Sequence, residues 1–191
     1  MRFLSELIIF DLHIFKTDMD LLDKNSQLNE NEVFQKVEDF LEVKGFRIGV
    51  KDDKRPWGGF FALDEKQIRE FAAMFFEDVE FSELQLTQKL SPKLLLVAPG
   101  ARLSWQYHHR RAEIWKLIDG EAGIVRSPTD ELGKLEKMDL GETIFLAQGE
   151  RHRLVGLDSW GIVAEIWMHT DPQTPSSEED IVRVEDDYAR K

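Results

Sequence analysis

Short apolar runs separated by glycines dominate the second half of the chain and restrict it to a β-rich fold. The runs lie at residues 94–97, 114–118, 122–125, 143–146 and 161–167. The glycines between them are Gly100, Gly120, Gly133, Gly141, Gly149 and Gly156. Runs of this length, bounded by turn residues, suit strands better than helices. Helical segments do not alternate with them, which argues against a doubly wound sheet. We therefore predict a mainly β domain, built as a sandwich or barrel.

A segment before these runs has the spacing of an amphipathic helix. Residues 29–44 carry apolar side chains three and four positions apart, at Val33, Phe34, Val37, Phe40 and Leu41. Asn29 or Asn31 can cap the first turn, because a side-chain oxygen there accepts from a free backbone N–H. Gly45 can end the helix, because glycine readily adopts the left-handed conformation that follows many last turns. The pattern predicts one helix.

A second helix is predicted over residues 64–76, where Asp64 with Gln67 resembles a capping box. Between the two helices, the segment "RPWGGFF" at 55–61 is typical of a turn that enters a strand. The first residues, "MRFLSELIIFDLHIF", are too short for a membrane span, and no small-residue cleavage site follows them. We predict that they form a helix or strand packed on the body.

The overall charge argues against two classes of partner. Lysine and arginine number 25 against 37 aspartates and glutamates, and the formal charge is −12. Such a chain repels nucleic acid and anionic membranes, so we expect neither as a partner. The chain has no cysteine, which excludes disulfides and thiolate metal ligands and is consistent with a cytoplasmic location. Basic residues are nevertheless concentrated at 102–116 and 151–153, which favours a small anionic ligand.

Residues 100–120, "GARLSWQYHHRRAEIWKLIDG", concentrate side chains that can bind a metal. Alternate residues of a strand share a face, so Gln106 and His108 point the same way. Glu113 follows across a predicted turn, and His152 follows a glycine-containing turn in "GETIFLAQGERHRL". If the hairpins stack face to face, these four side chains can converge inside a barrel. Two imidazoles, a carboxylate and an amide oxygen suit one divalent ion of zinc, manganese, cobalt, nickel or iron.

This stretch resembles the first sequence motif of the cupins, in which two glycines flank a His-x-His pair and a glutamate. The matching residues are Gly100, Gln106, His108, Glu113 and Gly120. The second cupin motif is matched at Gly141, Gly149 and His152. Two positions depart from that motif: Ala147 stands where proline is usual, and Gly156 where asparagine is usual. The resemblance implies a double-stranded β-helix, also called a jelly-roll barrel.

The chain is more closely similar to the cupin domain of type II mannose-6-phosphate isomerases. Four segments carry the likeness in the same order: "RPWG" at 55–58, "QYHHRRAEIW" at 106–115, "GERHRL" at 149–154 and "EDIVRVEDDYAR" at 179–190. It also resembles short stand-alone cupins known as phosphomannose or phosphoheptose isomerases. An insert lies around 64–90. The resemblance implies an N-terminal helical extension over 1–54 and a cupin barrel over 55–191 whose C-terminal tail packs on it.

The resemblance also implies a function. A metal-dependent aldose–ketose isomerase would convert mannose 6-phosphate to fructose 6-phosphate through a cis-enediolate. The implied metal ligands are Gln106, His108, Glu113 and His152. The implied catalytic residues are Arg111, Glu165 and His109, with the base open among Glu165, His109 and Glu113 itself. The implied phosphate-binding residues are Arg111, Arg153 and Lys116. Glu165 lies in the apolar segment "GIVAEIW", where burial raises a carboxyl pKa toward the range useful for a base.

Several alternatives to this function stay open. The substrate could be a heptose phosphate or a free sugar such as lyxose. A non-catalytic cupin that binds metal and sugar needs the same ligands, and an iron oxygenase is a third class. Too few residues precede Arg55 to form the nucleotidyltransferase domain of the bifunctional relatives, so we expect no guanylyltransferase activity. Cupin barrels often pair through sheet edges, and on this analogy we expect a homodimer.

Overall fold

The computed structural model describes residues 21–22, 28–84 and 89–188. The helix or strand predicted for the first fifteen residues lies outside these ranges. The helices in the described part are α1 (Glu30–Val43), α2 (Ile68–Phe75) and α3 (Phe81–Leu84), with 3₁₀ turns at Glu65–Gln67 and Glu178–Asp180. The strands are β1 (Ile48–Arg55), β2 (Gly58–Leu63), β3 (Leu90–Val97), β4 (Trp105–His108), β5 (Arg111–Ser127), β6 (Leu135–Lys137), β7 (Thr143–Leu146), β8 (Arg151–His169) and β9 (Ile181–Glu185). No described helix is long and apolar enough to cross a membrane.

The strands form an antiparallel barrel in which β8 is the central element. One path of neighbours runs β1-β2-β3-β8-β4-β9, and β5 pairs with β6, β7 and β8. The later half of β8 lies between β3 and β5, so that Glu165 is opposite Lys93 on one side and Trp115 on the other. The earlier half pairs with β4 at His152 and Gln106. The predicted mainly β class with N-terminal helices is confirmed.

The run "LLLV" in β3 is apolar throughout because both faces of the strand are covered. Leu94 and Leu96 pack with the helices in one core cluster, whereas Leu95 and Val97 pack with the barrel interior in another. Alternate side chains of a strand point to opposite faces, so a strand between two layers needs no polar positions. This parity also places Lys93 on the face of Leu95, toward the interior.

The first predicted helix is confirmed as α1, and Asn29 is its N-cap. The Asn29 side chain accepts from the Glu32 backbone, and the Glu32 side chain accepts from the Asn29 backbone, so a capping box is present. Gly45 follows the helix with a φ of +79°, as predicted for the residue that ends it. The five apolar positions of the predicted stripe are all buried.

The second helix is confirmed as a 3₁₀ turn followed by α2, but the predicted capping box is wrong. The Asp64 carboxylate accepts from the Lys66 backbone N–H at 2.9 Å. Gln67 instead donates to the Gly45 carbonyl at 2.9 Å and accepts from the Arg47 backbone N–H at 2.7 Å. These two bonds connect the start of α2 to the end of α1, and such a tertiary partner is not visible in a local pattern.

The end of the predicted N-terminal extension joins the sheet. Residues 48–54 belong to β1, which pairs with β2. The division of the chain at residue 55 stays a prediction, but this part of the extension is a strand rather than a helix. Among the described strands, β1 pairs only with β2, and most of its side chains are exposed. Polar residues therefore suit most positions of this strand. Gly58 closes the turn after it at a φ of +124°, where a Cβ would lie 2.1 Å from the Leu96 carbonyl oxygen.

The C-terminal tail packs on the barrel through β9, which pairs with β4, and through Asp180 just before it. The Asp180 carboxylate is buried and accepts from the Arg110 backbone N–H, the Arg110 Nε and the Ser176 hydroxyl, at 3.0, 3.2 and 2.7 Å.

We expect Asp180→Ala to lower the free energy of unfolding by about 2–4 kcal/mol, because it leaves buried donors without an acceptor. Urea denaturation measures this. Glu179→Ala, an exposed change in the same turn, should cost less than about 0.5 kcal/mol.

Candidate metal centre and active site

A cavity opens inside the barrel between β3, β4, β5, β8 and the tail. The empty space in it, open mouth included, is about 490 Å³. It is lined by aromatic side chains and by an unusual number of charged ones. The charged lining residues are Arg55, Lys93, Arg111, Glu113, Glu165, Glu178 and Arg183. The cavity therefore suits a polar, charged ligand.

Three of the four predicted metal ligands meet beside this cavity. His108 ends β4, Glu113 lies near the start of β5 and His152 lies near the start of β8. The His108 and His152 Nε2 atoms are 3.2 Å apart, and Glu113 carboxylate oxygens lie 3.2 and 3.3 Å from them. Ligands bound to one ion at about 2.1 Å and near-tetrahedral angles are separated by about 3.0–3.4 Å. All three residues are buried, and their spacing fits a single ion.

The hydrogen bonds around the two imidazoles support this assignment. His152 Nδ1 lies 2.9 Å from the Glu150 carbonyl, which can only accept, so Nδ1 carries a proton and Nε2 is the nitrogen directed at the cluster. Arg111 can only donate, and its Nη2 lies 3.1 Å from His108 Nε2, so this nitrogen is an acceptor whose one lone pair Arg111 shares. Both Nε2 atoms face the Glu113 carboxylate and form one group of ligand atoms with it.

The charge states of His108 and Glu113 are also those that a metal site requires. Burial lowers the pKa of His108 to about 4, so this imidazole is neutral at pH 7. Burial alone would raise the pKa of Glu113, but the neighbouring His108 and Arg111 outweigh it and hold that pKa well below its usual value. Arg111 Nε donates to Glu113 Oε1 at 2.7 Å. A neutral imidazole and an ionised carboxylate are the forms that bind a divalent ion.

Gln106, the fourth predicted ligand, lines the same cavity and is buried. It is paired across the sheet with His152. Its Oε1 accepts from the Ser104 hydroxyl at 2.5 Å, which fixes the orientation of the amide. An amide oxygen has two lone pairs, so this bond leaves one for a further partner. Its role as a metal ligand stays a prediction.

Glu165 is a fully enclosed carboxyl in the cavity wall. The Trp115 indole N–H donates to its Oε1 at 2.9 Å. Burial, aided by the charge of Glu113, raises the pKa of Glu165 to about 8. A carboxyl whose pKa is near the working pH can both take up and release a proton, which is what a general acid–base needs. The apolar segment around it was the sequence signal for this environment.

Arg111 is the most extensively bonded side chain of the site. Besides its bonds to Glu113 and His108, its Nη1 donates to the Ser176 hydroxyl and the Ser177 carbonyl, at 2.8 and 3.2 Å. The guanidinium also lies 3.5 Å from the centre of the Trp167 ring. It is buried and held on every side, so it can orient Glu113 and supply positive charge without having to move.

Three predicted site residues are not brought to the cavity. Lys116 follows Trp115 on β5 and faces the segment that follows α2, where it pairs with Asp78 and lies near Phe76. Arg153 follows His152 and faces β9, where its Nη2 donates to the Glu185 carbonyl. His109 follows His108 and is exposed against Tyr107. Each is one residue from an inward-facing neighbour, and the alternation of a strand places it on the opposite face. The structure brings none of the three to this cavity, and their predicted substrate contacts stay predictions.

Sequence analysis predicted one of the four basic residues that line the cavity, Arg111, and missed the other three: Arg55, Lys93 and Arg183. Lys93 was detectable, because a lysine on the same face as Leu95 in an apolar strand is unusual unless it has a partner. Its ammonium lies 3.4 Å from the centre of the Trp167 ring and 2.7 Å from the Glu178 carboxylate. Arg55 belongs to the "RPWG" segment, for which no chemical role was predicted.

An antiparallel barrel with a buried His–Glu–His cluster in its interior defines this protein as a cupin with a candidate metal centre. The chain belongs to the family described as mannose-6-phosphate isomerase C-terminal, whose model matches residues 64–186. The predicted family is confirmed, and the family match begins at Asp64, within the inserted segment noted in the sequence.

Two curated relatives illustrate the family. The chain is 29% identical over 136 residues to the xanthan biosynthesis protein XanB of Xanthomonas campestris pv. campestris (strain B100), covering 71% of this chain and 23% of that protein. It is 25% identical over 182 residues to a mannose-1-phosphate guanylyltransferase of Salmonella montevideo, covering 94% of this chain and 32% of that protein. The chain thus spans less than a third of the length of these relatives.

Among solved structures, a Cupin 2 conserved barrel domain protein from Salinispora arenicola CNS-205 is similar. The TM-score is 0.37 at 26% identity, and the match covers 44% of this chain and 65% of that chain.

Proposed function

We propose that this protein is a metal-dependent aldose–ketose isomerase of a sugar phosphate, and that it converts mannose 6-phosphate to fructose 6-phosphate. The observation that carries the proposal is the combination found in one cavity. A His–Glu–His cluster suited to a divalent ion, a buried carboxyl with a raised pKa and several basic side chains all line it or lie beside it. Isomerisation of a sugar phosphate needs charge stabilisation, proton transfer and anion recognition, which these three elements supply.

The proposed reaction assigns one task to each group. A divalent ion held by His108, Glu113, His152 and Gln106 would supply Lewis-acid stabilisation of negative charge on O1 and O2 of the opened sugar. Glu165 as carboxylate removes the C2 proton to give the cis-enediolate, and the resulting carboxylic acid returns a proton to C1. The hydroxyl proton moves from O2 to O1, so that C2 becomes the carbonyl carbon of the ketose. Arg111 keeps Glu113 oriented and adds positive charge beside the developing enediolate.

We expect proton NMR in deuterated water to show the reaction directly. With manganese- or zinc-loaded protein, the C2 proton of mannose 6-phosphate should be lost and fructose 6-phosphate should appear. A heptose phosphate and a free pentose are tested in parallel, because these were the alternative substrates. Failure of every sugar to exchange, while the protein holds stoichiometric metal, would contradict the proposal and favour a non-catalytic metal- and sugar-binding cupin. Oxygen uptake would instead favour an oxygenase.

The homodimer and the cytoplasmic location also remain proposals. Phe145 on β7 is 48% exposed, and β7 has a strand neighbour only in β5 among the described residues. An exposed aromatic on a sheet edge is compatible with pairing between copies of the chain.

A further inference from the structure

The mouth of the cavity carries an ion pair that the proposed reaction does not use. Lys93 Nζ lies 2.7 Å from Glu178 Oε1. The Lys93 side chain is 8% exposed, whereas that of Glu178 is 49% exposed. A buried cation thus comes from the barrel wall, and a half-exposed anion comes from the tail. The two residues are 85 positions apart in the chain, so only the packing of the tail brings them together.

Several cations act on the Glu178 carboxylate at once. Partial burial would raise its pKa, but Lys93, Arg111 and Arg55 together lower the pKa below its usual value. Lys93 is itself enclosed by aromatic faces, with Trp167 at 3.4 Å and Phe60 at 4.7 Å from the ring centres. This cluster provides the positive potential that an anionic group requires. Glu178 is the carboxylate that accepts a hydrogen bond from Lys93, whereas Glu165, opposite Lys93 in the sheet, interacts with it electrostatically.

The tail holds Glu178 in place without depending on it. On one side, the Ser176 hydroxyl and the Ser177 carbonyl accept from Arg111. On the other side, Asp180 accepts from Arg110 and Ser176. The backbone around Glu178 is therefore fixed by its neighbours. Its side chain can rotate into solvent while the tail remains packed on the barrel.

We propose that Lys93 forms the binding site for a phosphate monoester, and that the Glu178 carboxylate occupies this position until the phosphate displaces it. The proposal rests on the proposed function, because it assigns the phosphate of the sugar-phosphate substrate to Lys93. A phosphate monoester carries nearly two negative charges at pH 7, against one for Glu178. Replacing the Glu178 carboxylate by phosphate at Lys93 is favourable, because an ion pair with a half-exposed partner contributes little to stability and is broken at little cost. A neutral sugar offers Lys93 no replacement charge, so the pair also selects against unphosphorylated substrates.

Binding of methyl phosphate to the metal-loaded chain of 191 residues tests this proposal. We expect Glu178→Gln to tighten the dissociation constant about three- to tenfold, because it removes the competing charge. Lys93→Met should weaken binding by about tenfold or more, because it removes the cation. Glu179→Gln removes the same charge one residue away, and Lys116→Met removes a lysine that pairs with Asp78 outside the cavity. Neither control should change the constant measured by isothermal titration calorimetry.

Two results would overturn the proposal. Unchanged or weaker binding by Glu178→Gln would show that this carboxylate does not compete with phosphate. Binding that is insensitive to Lys93→Met would place the phosphate elsewhere, for example on the metal. The proposed function fails independently of both, because it is judged by exchange of the C2 proton. A chain that binds methyl phosphate as expected but exchanges no sugar proton would retain this site and lose the isomerase assignment.

Discussion

Glu113→Gln should reduce the affinity for Zn²⁺ or Mn²⁺ by at least about a hundredfold, because even neighbours of metal ligands typically contribute ten- to a hundredfold. Glu113 supplies the one negative charge of the His–Glu–His cluster, and its two oxygens lie 3.2 and 3.3 Å from the two imidazoles. The amide would keep the shape but lose the charge. The Arg111 guanidinium, which now donates to Glu113 at 2.7 Å, would then repel an incoming cation without compensation.

Competition against a chromogenic chelator measures this affinity. Glu121→Gln is the matched control, because Glu121 lies on the same strand and pairs at the surface with Lys137. It should leave the metal affinity unchanged. Circular dichroism verifies that both variants fold. Metal binding by Glu113→Gln with the wild-type constant would remove Glu113 from the ligand set and leave the two histidines without a carboxylate.

Glu165→Gln should slow exchange of the C2 proton by about 10²–10⁴-fold while the protein keeps its metal, since a positioned base contributes about that much. Glu165 is enclosed and accepts from Trp115 at 2.9 Å, so glutamine keeps the volume and can keep this bond through its oxygen. It cannot accept the proton. The loss should therefore appear in the exchange rate rather than in the metal content or in the dissociation constant for methyl phosphate.

The pH dependence provides a second readout for the same residue. Burial raises the pKa of Glu165 to about 8, so the carboxyl is mostly protonated at pH 7. Because the carboxylate is the active base, the wild-type exchange rate should rise as the pH increases from about 7 to about 9, around that pKa. Glu165→Gln should lack this rise in its residual rate. An unchanged rate and profile in Glu165→Gln would assign the base elsewhere, with Glu113 as the remaining carboxylate of the site.

Local sequence patterns were sufficient for elements whose determinants are close together in the chain. The capping box of α1 is made by Asn29 and Glu32, three positions apart, and Gly45 ends the same helix. The short apolar runs predicted strands because their period and their flanking glycines are local properties. His108 and Glu113 were recognised as ligands from their spacing within one motif, and His152 from a second motif. The structure brings these three together as predicted.

Spacing did not determine which basic residues reach the cavity. Lys116 and Arg153 lie next to inward-facing residues in the motifs, but strand alternation turns them to the opposite face, where Asp78 and β9 supply their partners. Lys93 comes from a strand outside the motifs and Arg55 from the "RPWG" segment, and both line the cavity. The alternation of side chains along a strand is a local property. The segment that covers each face of the strand is decided by packing between distant parts of the chain.

The sequence by itself therefore determined the class of fold, the caps of α1 and the three residues of the candidate metal cluster, because each depends on neighbours within one element or one recurrent motif. Only the tertiary structure decided which charged groups meet at the mouth of the cavity. Lys93 and Glu178 are 85 residues apart and meet because the tail packs across the barrel. The same packing buries Arg111 between Glu113 and the tail. A charged side chain binds a ligand strongly when burial and neighbouring groups remove water from it. Burial and neighbours are properties of the folded chain.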